Sequence, residues 1–282
     1  MIALPPGVRL ETAGLPHLIV EREACSAKLY LHGATLTSFV PRGQTDVLYV
    51  SKAAVYQPDK PIRGGIPICL PWFGGRPAGQ HGFARTAPWD LVSATEESDG
   101  GVTLVLAFSA DGTNPGFPHR FAARYTLRLS EKLECALEVE NRGVAPFDFE
   151  AALHTYFAVN DVRQTKLRGL EGLSYRESTV GGSGGMKTAE PLVAGPEIGR
   201  IYFGAPVAME IDDGARRVSI ARDGSRSTIV WNPGTARSFP DLGGEEWAAF
   251  LCVETANIES DAITLAPGQK HTLRMKAVTT SY

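Results

Sequence analysis

Between Arg63 and Gly74 the chain reads Arg-Gly-Gly-Ile-Pro-Ile-Cys-Leu-Pro-Trp-Phe-Gly, and from Gln80 to Arg85 it reads Gln-His-Gly-Phe-Ala-Arg. Two arginines, a histidine, an amide and several large aromatics therefore sit on a stretch so broken by Gly and Pro that no helix can run through it. Arginines on loops can grip an anion bidentately, and aromatics offer a flat apolar wall to a ring-shaped ligand. The nearest acids along the chain, Asp59 and Asp90, stand some way off, so both arginines are expected to be unpaired and open to an external anion. Two further segments carry groups for proton transfer: Leu153-His-Thr-Tyr-Phe157 and Cys252-Val-Glu-Thr255. A histidine, a carboxylate and an anion clamp together suggest acid–base chemistry on a small, polar, acidic molecule.

His154 and Glu254 each have a plain structural alternative. His154 could be a satisfied core histidine, but a second histidine, two arginines and a strand-embedded glutamate accompany it. Glu254 closes the apolar run 247–253 and is expected either to face solvent at a strand end or to sit partly buried, with its pKa raised. The remaining histidines, His17, His32, His119 and His271, lie in ordinary strand-edge or turn contexts.

The elements that must position these groups read as strands. Positions 121, 123, 125, 127 and 129 are apolar, with Arg124, Thr126 and Arg128 between them; 133, 135, 137 and 139 are apolar, with Glu134, Glu138 and Glu140 between them. A short link at 130–132 predicts a hairpin with one face buried. Further strands are expected at 103–108, 207–211, 217–221, 228–231, 248–253 and 272–278, punctuated by Asp-Gly, Asn-Pro-Gly and Pro-Gly turns. No amphipathic helix of three turns stands out. The glycine-rich run 180–186 reads as a mobile loop and not as a phosphate cradle, since it lacks the Gly-Lys-Ser/Thr ending. Many strands joined by turns imply stacked antiparallel sheets, an all-β chain forming one domain over 1–282.

The chain has 282 residues, 43% of them hydrophobic and 21% charged, which suits a soluble protein with a sizeable core. A net charge of −3 argues against broad nucleic-acid binding. No secretory leader is read at the start, and no apolar run approaches the roughly 20 residues that cross a bilayer. Cys25, Cys69, Cys135 and Cys252 are far apart among apolar neighbours, so they are expected to be reduced core thiols and no zinc site is expected. These features point to the cytoplasm, with neither membrane nor nucleic acid as a partner.

Six motifs occur in order: Arg63-Gly-Gly-Ile-Pro with Pro71-Trp-Phe-Gly, Gln80-His-Gly-Phe-Ala-Arg85, Leu153-His-Thr-Tyr-Phe157, Arg200-Ile-Tyr202, Val230-Trp-Asn-Pro233 and Cys252-Val-Glu254. In this the chain resembles, over nearly its whole length, the hexose-6-phosphate mutarotases (glucose-6-phosphate 1-epimerases), relatives of the aldose 1-epimerases. The resemblance implies a large antiparallel β-sandwich of galactose-mutarotase type with the sugar on a concave sheet face. It implies His154 as general acid and Glu254 as general base. It also implies that Arg63, Gln80 and Arg85 bind substrate, the arginines through its phosphate, and that His81 supports the sugar. An acid–base pair of this kind is expected to work without metal or cofactor, on a small-molecule sugar phosphate, in a monomer.

One position departs from the resemblance. Family members usually carry Asp just before Arg-Ile-Tyr, and here that residue is Gly199, with Glu197 the nearest carboxylate. The departure bears on which sugar is taken more than on the chemistry. A mutarotase for a different or unphosphorylated sugar, and a non-catalytic carbohydrate-binding protein on the same scaffold, are therefore the alternatives.

Overall fold

A computed structural model describes residues 2–178, 190–194, 197–204 and 206–282. The glycine-rich run 180–186 lies outside the described residues. Among these residues the strands pair antiparallel throughout the larger sheets, and the helical elements are 3-10 segments of three to six residues. The long hairpin forms as the alternation requires: Arg120–Leu129 pairs with Lys132–Asn141, with Phe121 opposite Asn141 and Leu129 opposite Leu133. Its apolar positions are buried, and its polar face carries cross-strand charge pairs such as Arg128 with Glu134 at 3.1 Å.

This hairpin lies within a nine-stranded sheet that runs from the short strand Leu192–Val193 to Asp90–Glu96 at the far edge. A seven-stranded sheet holds, in order, Tyr175–Glu177, Ile198–Phe203, Ser227–Asn232, Phe250–Asn257, Ala151–Leu153 and Ile68–Cys69, with Tyr156–Ala158 also pairing to Phe250–Asn257. A four-stranded sheet is built from the N-terminal strands Val8–Glu11, His17–Glu21, Cys25–Tyr30 and Thr35–Pro41. Side chains from all three sheets, from Val8 to Ala277, meet in one contiguous apolar core, so the architecture is a β-sandwich. All four cysteines are buried and free.

The seven-stranded sheet turns one face to that core and the other to a cleft. Leu153, Phe157, Ile198, Tyr202, Val230, Leu251 and Val253 belong to the core face. Because successive side chains alternate across a strand, the residues between them point into the cleft. Two rows result. Ile201, Ile229 and Glu254 lie opposite one another across three strands, and beside them run Gly199, Trp231, Cys252 and Tyr156.

One boundary differs from the sequence expectation. The strand expected at 248–253 runs instead over Phe250–Asn257, because Gly244–Ala249 winds into a 3-10 turn. All eight residues of this central strand are buried. Glu254 is therefore a mid-strand residue enclosed on both sides, not a strand-end group facing solvent.

Candidate functional site

Strand pairing explains how His154 and Glu254 meet. Leu153 is opposite Thr255 and Tyr156 is opposite Cys252, so the register sets His154 across from Glu254 although the ladder is interrupted there. Directly opposed side chains on one face of a sheet are close neighbours. Here His154 Nε2 lies 3.5 Å from Glu254 Oε1. The interruption has a cause: the His154 N–H turns away and donates to the Pro67 carbonyl at 3.0 Å, and Tyr156 N–H donates to Gly65 O at 2.9 Å. Those two bonds thread the 63–67 segment along the cleft, next to the pair.

Glycine is required at the tight points of this threading. Gly65 has φ +69, and a Cβ there would meet Leu36 O at 2.2 Å. Gly82 has φ +71, and a Cβ there would lie 1.9 Å from Leu70 O. The second contact belongs to a turn in which Phe83 and Ala84 N–H both donate to Leu70 O, which starts the short helical turn Ala84–Thr86 bearing Arg85.

The cleft, about 260 Å³, gathers every residue singled out from the sequence: Arg63, Gln80, His81, Arg85, His154 and Glu254 all line it. Its walls add residues that sequence reasoning did not assign, among them Tyr156, Ser178, Arg237 and Phe239. Tyr156 carried a signal, since it lies two residues beyond His154 and so on the same strand face. The others carried none, because loops distant in the chain deliver them.

The two arginines differ. Arg63 is not unpaired, as the local sequence suggests. Its Nη2 meets Asp241 Oδ1 at 3.0 Å, its Nη1 donates to the Tyr156 hydroxyl at 3.2 Å, and its guanidinium lies over the Phe239 ring at 4.8 Å. Asp241 comes from a loop nearly 180 positions away, beyond the reach of any flank-based reading. Arg85, in contrast, makes no hydrogen bond or ion pair among the described residues, and burial pulls its pKa below the ordinary arginine value. Arg237 is held at 2.8 Å by Glu197, so Glu197 is engaged in an ion pair beside the cleft. Gly199 itself lines the cleft between Ile201 and Trp231.

His81 adopts φ +60, a left-handed conformation uncommon for a non-glycine residue. Its Nδ1 accepts the Gly74 N–H at 3.1 Å, which leaves the neutral ring's proton on Nε2, and the Gln80 side-chain amide, 3.1 Å away, must turn its oxygen toward that N–H to accept it. Burial, and then the charges of Arg85 and Arg63, push its pKa down to about 3, so His81 is a neutral donor at any working pH. Its ring meets His154 edge to face, with centroids 5.7 Å apart.

His154 and Glu254 are perturbed in opposite directions. Burial drives the imidazole pKa well below its ordinary value, with His81, Arg85 and Arg63 pushing the same way. Burial drives the Glu254 carboxyl well above its ordinary value, with Arg85 pulling it partly back. Both shifts act in the same sense: enclosure favours carboxylic acid beside neutral imidazole over the charged pair. His154 Nδ1 and Glu254 Oε2 are buried and unpartnered, which leaves hydrogen-bonding capacity for an occupant. The other histidines are occupied elsewhere: His17 by Leu15 O, His32 by Lys60 O, His271 by Gly224 O, and His119 against Phe147.

Known proteins share both the sequence and the fold. The aldose 1-epimerase family profile matches residues 17–277. A Cenchrus ciliaris protein, provisionally named glucose-6-phosphate 1-epimerase, is 31% identical over 275 residues, covering 92% of this chain and 83% of its own. A Salmonella typhimurium protein with the same provisional name is 32% identical over 257 residues, covering 88% and 85%. A crystal structure of a provisionally assigned mutarotase from Salmonella typhimurium superposes with a TM-score of 0.91 at 26% identity, over 100% of this chain and 96% of that one. The galactose 1-epimerase of Lactobacillus acidophilus shares the fold, with a TM-score of 0.75 at 15% identity over 99% of both chains. With the profile spanning nearly its whole length and relatives above 30% identity, this chain belongs to the aldose 1-epimerase family.

Proposed function

We propose that this protein interconverts the α- and β-anomers of a hexose 6-phosphate, glucose 6-phosphate first among them. The observation that carries the reading is a buried His154–Glu254 pair with one free polar atom on each partner, placed in the same cleft as the unpaired Arg85. The provisional names of the Cenchrus and Salmonella relatives support the phosphorylated substrate.

Ring opening needs a proton delivered to the ring oxygen and another removed from the C1 hydroxyl. Glu254 takes the hydroxyl proton and His154, as imidazolium, gives one to the ring oxygen. The open-chain aldehyde then faces a protonated Glu254 and a neutral His154, the arrangement that burial favours. Rotation about C1–C2 presents the other carbonyl face. Closure reverses both transfers, returning the proton from Glu254 to the carbonyl oxygen and taking the chain hydroxyl proton onto His154. The pair thus ends as it began, as catalysis requires.

Cyclic sugar stabilises the charged form of the pair by donating its O1–H to the carboxylate and accepting from the imidazolium at the ring oxygen. Arg85, Arg63 and the Gln80 amide hold the phosphate and hydroxyls, while His81 donates its Nε2–H to the Gln80 amide oxygen and so orients the Gln80 NH2 toward them. Fixing the phosphate away from C1 sets the register of the reacting atoms.

A mutarotase for an unphosphorylated sugar is the second reading, favoured by Arg63, whose charge Asp241 already offsets. One experiment decides between them: anomer-exchange NMR on glucose 6-phosphate, galactose 6-phosphate and glucose, with wild type and Glu254→Gln. Exchange above the buffer rate for the phosphorylated sugars, falling about 10²–10⁴-fold in the variant, is expected. Acceleration of glucose alone would establish the second reading. Acceleration of no sugar would overturn both.

A further inference from the structure

Tyr156 has a hydrogen-bonding role in the cleft that the proton transfers do not use. Its ring stacks on His154, with centroids 4.9 Å apart and planes 12° from parallel, and also contacts Phe250 at 5.1 Å and, edge to face, Trp231 at 6.2 Å. Its hydroxyl accepts the Arg63 Nη1–H at 3.2 Å. A guanidinium can only donate, so the phenol is the acceptor in that bond and its own O–H remains to be given. Among the described residues no acceptor takes it. Burial raises the phenol pKa, so the proton stays on the oxygen through neutral and mildly alkaline pH.

The direction available to this O–H is set by its neighbours. Arg63 is fixed by Asp241 on one side and Phe239 on its face, and the hydroxyl lies against its Nη1 within the lining of the cleft. An anion drawn to Arg63 and Arg85 would come within reach of the phenol as well. A phosphate offers three oxygens with several lone pairs, so a neutral O–H can bind it alongside two guanidinium groups without competing for the same lone pair.

Resting on the hexose-phosphate reading, the geometry points to Tyr156 as a specificity residue: its O–H donates to the substrate's phosphate between Arg63 and Arg85, while its ring holds the His154 imidazole in place. A tyrosine here ties the anion site to the proton-transfer site through one rigid side chain. Removing the hydroxyl deletes one hydrogen bond to a charged group, an interaction whose loss weakens binding by about tenfold or more.

The test is Tyr156→Phe, which keeps the ring and its stacking. Two quantities are read beside a melting curve: the Kd for inorganic phosphate, and the ratio of kcat/KM for glucose 6-phosphate to that for glucose. The expected result is a phosphate Kd about tenfold weaker and a ratio about tenfold smaller. An unchanged Kd and ratio would overturn the proposal, including the case where both sugars slow in parallel, which would make Tyr156 only a support for His154. Wild type that binds phosphate in a Tyr156-dependent way yet accelerates no sugar would overturn the functional reading and leave the tyrosine's contact standing.

Discussion

His154 and Glu254 work, in the proposed reaction, because neither is in its ordinary protonation regime. Both shifts follow from desolvation, which penalises charge on either partner. A pH profile of kcat reports them in the substrate complex. The active pair holds one proton. A second proton, added to the imidazole, arrives only below the ordinary histidine range because the His154 pKa is lowered. The single proton leaves only above the ordinary carboxylate range because the Glu254 pKa is raised. Activity is therefore expected to stay level from neutral pH down through 6.5, where a solvent-exposed catalytic histidine would already be titrating. A kcat that changes with a midpoint near 6.5 would show that His154 titrates freely and that the pair does not share a proton.

Strand and loop placement decide whether those residues meet. The segment 233–242 brings Arg237 and Phe239 to the cleft and Asp241 to Arg63, and one carboxylate just beyond it fastens this loop to the segment 49–52. Glu246 accepts from the Tyr49 hydroxyl at 3.0 Å, the Ser51 hydroxyl at 2.8 Å, Gly243 N–H at 3.1 Å and Lys52 N–H at 3.2 Å. Ser51 N–H in turn donates to the Arg63 carbonyl at 3.0 Å. Glu246→Ala strips the acceptor from partly buried hydroxyls and is expected to cost about 1–3 kcal/mol by denaturant unfolding. Because Asp241 and Arg63 then lose their fixed spacing, KM for glucose 6-phosphate should rise several-fold, as measured by anomer exchange. A stability loss with KM unchanged would mean that the loop keeps its place without Glu246.

At the scale of the whole molecule, the cleft is one face of a sheet whose other face is core. Rigidity of the site is thus inherited from packing far from it. Leu104, fully buried in the nine-stranded sheet, touches the same contiguous core as Leu153 and Val253 behind the His154–Glu254 pair. Leu104→Ala is expected to lower stability by about 2–5 kcal/mol, read from chemical denaturation. Well below its melting temperature the variant should retain wild-type kcat, since the cavity opens away from the site. A large fall in kcat for the folded variant would show that the outer sheet tunes the pair directly.

Much of this was legible in the chain because two of its codes are local. Alternation of apolar and polar residues in 121–129 and 133–139 specified strands, their buried face and their hairpin, since side-chain direction in a strand depends only on position parity. Residue type picked out His154, Glu254, Gln80, His81 and the two arginines, because few side chains can move protons or hold anions. Burial and pairing were not local. Glu254 lies enclosed at mid-strand, not at an exposed end, because the strand runs on to Asn257, where every residue is buried. Arg63 is partnered because the loop joining the central strands Ser227–Asn232 and Phe250–Asn257 delivers Asp241. The 3.5 Å approach of His154 to Glu254 comes from antiparallel register between segments about a hundred residues apart. Chemical identity was thus fixed by the sequence alone, while distance, solvation and charge balance, which set proton affinity, were decided only when the sheets packed.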